Sequence, residues 1–278
     1  MSIPKRLTVS CPSCKERFDT TIFGSLNTDF APDIIEAVIS GDRFAAKCPH
    51  CGFQAHLEYD LLYHDMKHGA MIWVIHKENP GYSKKVAEVR ATNLLSYDVT
   101  RIVPDMNALR EKAACLASEK DDRIVELCKV FLASQVSQQV PNFNFRNAFY
   151  TCCGGKNIVY FYDLSGKEIR CDLDDKVYDI ISDLYKEPLL QMENTPYQVI
   201  DYDWATANFY KKMPSEEEIE KMIATWPEAS EAPKADGVPV AKEMNETPTK
   251  NALFCRKCGA KLLTDSLFCS RCGTKVVY

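Results

Sequence analysis

The chain has 278 residues, of which 46% are apolar and 26% are charged, and its formal net charge is -5. This composition is typical of a globular protein that can form a hydrophobic core in one or two domains. The negative charge argues against a nucleic-acid-binding surface along the whole chain. No stretch has the pattern of a signal peptide or membrane helix, so we expect a cytoplasmic protein with no membrane partner.

The N-terminal region carries two Cys-x-x-Cys pairs, Cys11 with Cys14 and Cys48 with Cys51. In a reducing compartment such pairs favour a metal or redox role over disulfides, and four thiolates suit tetrahedral zinc. Proline follows the first cysteine of each pair and fixes a φ angle that suits a tight turn. Lys15 follows the first pair where glycine is expected, which implies some backbone strain. The pattern predicts one site for zinc, with iron as the alternative metal.

Short strands are predicted on both sides of the cysteine turns, in a metal lobe spanning residues 1–80. Between the turns, residues 33–40 predict a helix, because four apolar side chains share one helical face and Gly41 follows as a stop. The lobe is therefore expected to resemble a zinc ribbon with a helix in its central loop. The predicted strands are residues 6–10, 53–59 and 71–75.

All five histidines lie between residues 50 and 76, and His64, Asp65 and His68 resemble the His-Glu-x-x-His metalloprotease motif. That motif needs both histidines on one stable helix and a carboxylate long enough to reach the bound water. Here Gly69 follows at once, and aspartate is shorter than glutamate. A polar turn between two strands is the favoured interpretation, and a metal-dependent hydrolase stays as an alternative function.

A second lobe is predicted over residues 95–212, with a helical hairpin followed by a small antiparallel meander. Two later helices are expected to cover one face of the meander. Cys115, Cys128 and Cys171 fall at apolar positions and are expected in the core, and Asp174 or Asp175 is expected to cap a helix. The predicted helices are residues 105–118, 121–137, 174–186 and 201–210, and the predicted strands are residues 144–153, 157–163 and 168–171.

The composition changes after this lobe. Ser215 and Glu218 form a predicted capping box, and an amphipathic helix is expected over residues 213–226. Residues 227–250 contain four prolines, several acidic side chains and few large apolar groups, which predicts a flexible linker. The linker leads to a separately folded module over residues 251–278.

The terminal module contains two near repeats of Phe-Cys-x-x-Cys-Gly-x-Lys, which carry Cys255, Cys258, Cys269 and Cys272. A unit of this size has too little core to fold without a bound metal. The repeats resemble the zinc-ribbon family over residues 254–277. This resemblance implies that the four cysteines bind a second zinc ion.

The terminal module contains five basic side chains and a single acidic one, Asp265. Their net charge of +4 falls to about +2 once four thiolates bind Zn²⁺. Such a surface suits contact with an acidic protein, and nucleic acid stays open as an alternative partner of the ribbon. The basic residues are Arg256, Lys257, Lys261, Arg271 and Lys275.

Two Cys-Pro-x-Cys pairs, the downstream Tyr63-His64-Asp65 and the helix start at Asp121-Asp122-Arg123 together resemble the bacterial CpXC domain family. The resemblance covers residues 8–137, and we expect a CpXC-like α+β domain over residues 1–212. The family has no established function, so the resemblance implies a metal-binding, strand-rich domain and no particular reaction.

The sequence therefore predicts an α+β fold with a C-terminal zinc ribbon on a flexible linker. The function expected from it is that of a cytoplasmic zinc-binding, non-enzymatic interaction or adaptor protein with two structural zinc sites of four cysteines each. Its expected partner is a protein. Besides the hydrolase, a second alternative is a zinc-thiolate redox sensor that releases its metal on oxidation.

Overall fold

The computed structural model describes residues 4–30, 33–92, 97–192 and 195–225, together with the backbone of residues 253–254 and 261–262. Helices and strands are both abundant in this part of the chain, and the predicted α+β class is confirmed. The predicted linker over residues 227–250 lies outside the described residues. Within the described residues, every helix is too short or too polar to span a lipid bilayer.

The strands are β1 (Pro4–Ser10), β2 (Arg17–Phe23), β3 (Ser25–Asn27), β4 (Ala45–Lys47), β5 (Gln54–His56), β6 (Leu61–Asp65), β7 (Ala70–Val74), β8 (Val99–Val103), β9 (Phe145–Cys153), β10 (Lys156–Asp163), β11 (Glu168–Asp172), β12 (Leu253–Phe254) and β13 (Lys261–Leu262). The helices are α1 (Ile34–Ser40), α2 (Tyr82–Ala91), α3 (Met106–Ala117), α4 (Asp122–Gln139), α5 (Asp175–Leu190), α6 (Tyr202–Phe209) and α7 (Glu216–Thr225).

Two antiparallel hairpins, β1–β2 and β4–β5, carry the N-terminal cysteine pairs, and we call them the knuckle hairpins. The strand predicted over residues 6–10 is confirmed as β1. The strand predicted over residues 53–59 is too long, because only the three residues of β5 pair with β4. The apolar cluster of the hairpins is small, with Phe18 and Ala46 as its buried members besides two cysteines. So little buried apolar surface implies that the hairpins need another source of stability.

A four-stranded mixed sheet, in the order β3-β6-β7-β8, forms the centre of the N-terminal half. β7 matches the predicted strand at residues 71–75, whereas β3, β6, β8 and helix α2 were not predicted. One face of the sheet packs against α1 and α3 in a core that includes Leu26, Tyr63, Ile72 and Leu109. Because β8 pairs in parallel with β7, this sheet joins residues on both sides of the proposed boundary between the lobes.

Helix α1 confirms the helix predicted over residues 33–40 and ends at Gly41 as expected. Gly41 has a φ angle of 87°, and its N–H donates to the carbonyl of Val38 at 3.1 Å. A Cβ at this position would lie 3.2 Å from the guanidinium of Arg110, whose Nε donates to the Ile39 carbonyl at 2.9 Å. Glycine therefore supplies both the left-handed conformation and the space that let α1 end against α3.

The predicted helical hairpin is confirmed as α3 and α4, each of which begins with an aspartate cap. Asp105 accepts the N–H of Ala108 at 2.8 Å, and Asp121 accepts the N–H of Arg123 at 2.9 Å. These caps satisfy helix N–H groups that have no partner within the helix.

The predicted meander is confirmed as the antiparallel sheet β11-β10-β9. Its face bearing Tyr150, Val159 and Phe161 packs against α4, α5 and α6, so the helices cover one face as expected. Cys115 and Cys128 are buried in this core, as predicted. Cys171 is only partly buried and contacts the edge of the same core.

Helix α7 begins with the predicted capping box. The backbone N–H of Ser215 donates to Glu218 Oε2 at 2.8 Å, and Ser215 Oγ accepts the N–H of Glu218 at 3.3 Å. Ile219 on the apolar side of α7 is 2% exposed and packs into the core beneath α5. The helix is therefore docked on the body of the protein.

Candidate metal centre

Each knuckle hairpin closes a six-residue loop that begins with the first cysteine of its pair. Ser10 pairs with Arg17 across the first loop, and Lys47 pairs with Gln54 across the second. In both loops the first cysteine donates its N–H to the carbonyl of the last loop residue, at 2.9 and 2.8 Å. Its own carbonyl accepts the N–H of the residue after the second cysteine, at 3.0 and 2.9 Å. The two knuckles therefore share one backbone design.

The residue after the second cysteine has a positive φ angle in both knuckles. Gly52 has a φ angle of 75°, which costs glycine little. Lys15 has a φ angle of 65°, which is unfavourable for a residue with a Cβ. The strain expected at Lys15 from the sequence is confirmed. With the turn in this conformation, both thiols of the first pair lie close to thiols of the other hairpin.

The four N-terminal cysteine sulfurs converge. Cys11 Sγ lies 3.5 Å from Cys51 Sγ, Cys14 Sγ lies 3.7 Å from Cys48 Sγ, and all four sulfurs lie within 4.8 Å of one another. A tetrahedral zinc ion with Zn–S bonds of about 2.3 Å places its sulfurs about 3.8 Å apart. The observed spacing fits this geometry.

The cluster is shielded unevenly from solvent. Cys11 and Cys48 are each 1% exposed, Cys14 is partly buried and Cys51 is exposed. His50 is exposed beside the cluster, so it faces solvent as expected from the sequence. The described ligand set is therefore made of sulfur alone, which is the donor set of closed structural zinc sites.

The pKa values of Cys11 and Cys14, the two thiols of the first pair, shift in opposite directions. Burial raises the pKa of Cys11, but hydrogen bonds from the backbone of Cys14 and Ser13 and from the neighbouring thiols outweigh it and lower this pKa to about 6. The Glu16 backbone lowers the pKa of Cys14, but burial and the three other sulfurs raise it to about 12. Cys11 thus ionises readily, whereas the ionisation of Cys14 is opposed. A divalent cation at the centre would remove this conflict by neutralising half of the charge of four thiolates.

The segment with the resemblance to a metalloprotease motif forms a strand end and a turn, not a helix. His64 and Asp65 end β6, and strand neighbours point to opposite faces of a sheet. His64 Nδ1 contacts Asn27 Nδ2 at 3.2 Å, whereas His68 Nδ1 contacts the buried Asp65 Oδ2 at 2.8 Å. The polar turn between two strands is confirmed. The helix that the hydrolase alternative requires is not formed.

A short antiparallel hairpin of β12 and β13 lies at the start of the C-terminal module. Phe254 of β12 pairs with Lys261 of β13, so this hairpin also closes a six-residue loop that begins with a cysteine. The proposed ligands Cys255, Cys258, Cys269 and Cys272 themselves lie outside the described residues. The number of residues between the paired strands is therefore the same here as in the two knuckle hairpins.

Comparison with known protein families agrees with this geometry. The sequence matches the CpXC protein family over residues 9–129 and the zinc-ribbon domain over residues 254–276. The chain contains a CpXC domain and a zinc ribbon. Both predicted resemblances are confirmed, and the CpXC match ends inside α4. No curated protein and no solved structure matches the chain. The cysteine cluster of the CpXC domain and the zinc ribbon together indicate zinc binding.

A continuous row of buried charges, which was not predicted, begins at strand β8 of the four-stranded mixed sheet. It joins β8 to α3 and α4, and neighbouring charged atoms of opposite sign are 2.5 to 3.1 Å apart. Each of the six side chains is at most 7% exposed. Such a row is costly to desolvate and is stable only while every charge keeps its partner. We call these residues the buried ion chain: Arg101, Asp122, Lys112, Glu126, Lys129 and Glu111.

Two carboxyl groups of the buried ion chain have pKa values shifted in opposite directions. Burial raises the pKa of Asp122, but the charges of Arg101 and Lys112 outweigh it and hold this pKa well below its usual range. For Glu111, burial dominates over the attraction of Lys129 and raises the pKa to about 7. Asp122 is therefore a fixed anion, whereas Glu111 can change its charge near neutral pH.

A sequence signal for the buried ion chain exists in α4. Asp122, Glu126 and Lys129 are spaced by four and three residues, so they share one helical face next to the apolar face. On an isolated helix this spacing indicates a solvated side. Only the packing of α3 and β8 against that side shows that the charges are buried.

Proposed function

We propose that this chain is a cytoplasmic, non-enzymatic interaction protein in which two zinc ions stabilise folded modules. One zinc is held by Cys11, Cys14, Cys48 and Cys51 in the CpXC domain. The other is held by the four ribbon cysteines. The observation that carries the proposal is the convergence of the four N-terminal sulfurs within 4.8 Å.

A structural role is supported by the donor set. Four thiolates fill the tetrahedral coordination of zinc, whereas catalytic zinc keeps one position open for water or substrate. The knuckle hairpins also bury little apolar surface of their own, so a metal is the natural source of their stability. The absence of a helical histidine pair at residues 64–68 removes the feature that favoured hydrolysis.

The metal content of the purified full chain tests the zinc assignment. We expect two zinc ions per chain, because each set of four thiolates binds one ion. Cys51→Ser and Cys269→Ser should each lose one ion, and Cys153→Ser should lose none, since Cys153 is exposed at the end of β9, away from the cluster. Iron in place of zinc, or a full metal content in Cys51→Ser, would contradict the assignment.

The proposed partner is a protein with an acidic surface, which the basic ribbon would contact. The ribbon has a net charge of +4 before metal binding, whereas the whole chain has a net charge of -5. Opposite charge on a tethered module favours an acidic partner and speeds the encounter. The overall negative charge of the chain weighs against nucleic acid.

Binding of a fluorescent polyglutamate peptide and of a single-stranded oligonucleotide of equal charge to the zinc-loaded full chain separates the two partners. We expect the peptide to bind more tightly. Reversing two ribbon charges in Arg271→Glu with Lys275→Glu should weaken peptide binding about tenfold. The control Lys156→Glu reverses one exposed charge outside the ribbon and should change the affinity little. Tighter binding of the oligonucleotide would contradict a protein partner.

A further inference from the structure

The outer face of the meander, which is the face opposite the helices, is apolar along its middle strand. β10 contains Ile158, Val159, Tyr160, Phe161 and Tyr162 as a continuous apolar run. Val159 and Phe161 point into the helical core, so the other three side chains point to the outer face. An antiparallel sheet with one solvated face normally alternates apolar and polar residues. The run therefore indicates that β10 is covered on both faces.

The exposed fractions of the outer-face side chains agree with such a cover. Ile158, Tyr160 and Tyr162 are 5%, 9% and 7% exposed. Among the described residues, their apolar cluster has one further member, Phe149 of β9, and no helix contributes to it. Tyr160 and Tyr162 each have an interaction besides these contacts. Because the exposed fractions hold for a single chain, the cover comes from the same polypeptide.

The side chains at the two borders of the outer face limit the width of the cover. At the β9 border, the guanidinium of Arg110 in α3 lies 5.5 Å from the centroid of the Phe149 ring. At the β11 border, the side chains of Arg170 and Asp172 are 48% and 63% exposed. The missing part of the cover therefore lies over β10 itself, and its width suits a small module better than a large domain.

The length and composition of the chain outside the described residues point to one occupant. Every such stretch before α7 has at most four residues, which is too short to cover the face of a sheet. After α7, residues 227–250 contain few large apolar side chains, whereas residues 251–278 contain nine leucine, phenylalanine, valine and tyrosine side chains. A module of this size cannot bury all of them in a core of its own. The ribbon therefore offers the apolar surface that the face requires.

The ribbon can reach the outer face, and its charge suits the rest of the chain. Residues 227–250 span a root-mean-square distance of about 25–30 Å as a flexible chain. Such a tether gives the ribbon an effective concentration on the order of 1 mM, so a weak contact is enough to hold it. The ribbon has a net charge of +4 in a chain with a net charge of -5. Glu168, which pairs with Tyr162 across β11 and β10, adds an acidic side chain beside the apolar cluster.

We propose that the C-terminal zinc ribbon docks on the outer face of the meander, with its apolar side chains packed over Ile158, Tyr160 and Tyr162. The ribbon then moves as one body with the domain, although a flexible linker connects them. A partner that needs the same ribbon surface has to displace it from the meander. This inference rests on the zinc-bound ribbon of the proposed function and not on its acidic partner.

Nitrogen-15 NMR relaxation of the full chain, with both zinc ions bound, tests the docking. We expect one rotational correlation time for the amides of the ribbon and of the domain. A ribbon that tumbles faster than the domain while both ions are bound overturns the docking and leaves the zinc assignment intact. Sedimentation velocity on the same sample then shows whether a second copy covers the face, because the chain would sediment as a dimer.

Two variants locate the docking site. Tyr160→Glu places a charge in the middle of the face, and its ribbon should lose the correlation time that it shares with the domain. Leu190→Glu is the control, since Leu190 is 70% exposed on α5, which packs on the opposite face of the sheet. Unchanged tumbling of the ribbon in Tyr160→Glu overturns the location. If that variant does not fold, nuclear Overhauser effects between ribbon methyl groups and the Tyr160 ring in the wild type decide it, and their absence overturns the proposal.

Discussion

Replacing Cys48 by serine is expected to open the knuckle hairpins while the helical core stays folded. The hairpins bury few apolar side chains, so their order depends on the metal that the four cysteines would hold. Structural zinc supplies about 10–16 kcal/mol to zinc-finger peptides, and we expect a local loss of about 5 kcal/mol or more here. Hydrogen exchange should therefore quicken in residues 4–23 and 45–56 and stay slow in α4.

The matched control for this variant is Cys153→Ser, which changes an exposed cysteine outside the cluster. It should retain its zinc and the wild-type exchange rates. Slow exchange of the knuckle hairpins in Cys48→Ser, or in the wild type after removal of zinc by a chelator, would show that packing alone holds the hairpins.

Replacing Asp122 by asparagine is expected to destabilise the whole domain by about 3–5 kcal/mol, because it leaves the buried Arg101 without its charge partner and leaves Lys112 with Glu126 alone. Asp122 accepts from Arg101 at 2.9 and 2.8 Å and contacts Lys112 at 3.1 Å. Urea unfolding followed by circular dichroism measures the change. Asp172→Asn is the control, since its pair with Arg170 is about half exposed and should contribute less than about 1 kcal/mol.

The same variant should change the response to acid. Burial alone would raise the pKa of Asp122, but Arg101 and Lys112 hold it well below its usual range. The stability gained from its ionised form is present above the unfolded pKa, near about 3.9, and is lost as pH falls toward the folded pKa. The gap in unfolding free energy between wild type and Asp122→Asn should therefore narrow below about pH 4. A gap that does not change with pH would contradict the role of the Asp122 charge.

Local signals in the sequence predicted the elements whose stability is itself local. The apolar spacing before Gly41 located α1 to within one residue, and Ser215 with Glu218 located the start of α7. The cysteine spacing identified both knuckle hairpins. Each of these features depends on residues fewer than ten positions apart.

Features that depend on distant residues were missed for a physical reason. β3 is a strand because Leu26 pairs in parallel with Tyr63, and three residues carry no periodicity that predicts such a pairing. Helix α2 has one buried apolar side chain, Val89, so its sequence lacks a clear apolar face. The buried ion chain is a similar case, since charged residues normally indicate a solvated face. The charges come from β8, α3 and α4, and only the packing of these three elements shows which charges are paired.

The position of α1 between the two knuckle hairpins extends the influence of the metal beyond its ligands. Residues 15–47 connect the first cysteine pair to the second, and this segment includes β3 and α1. A metal bound by both pairs would join the ends of this segment as a disulfide joins the ends of a loop. The conformational entropy removed from the unfolded chain by such a cross-link corresponds to about 4 kcal/mol. Metal occupancy would thus favour the docking of α1 on α3, although α1 contains none of the four candidate ligands.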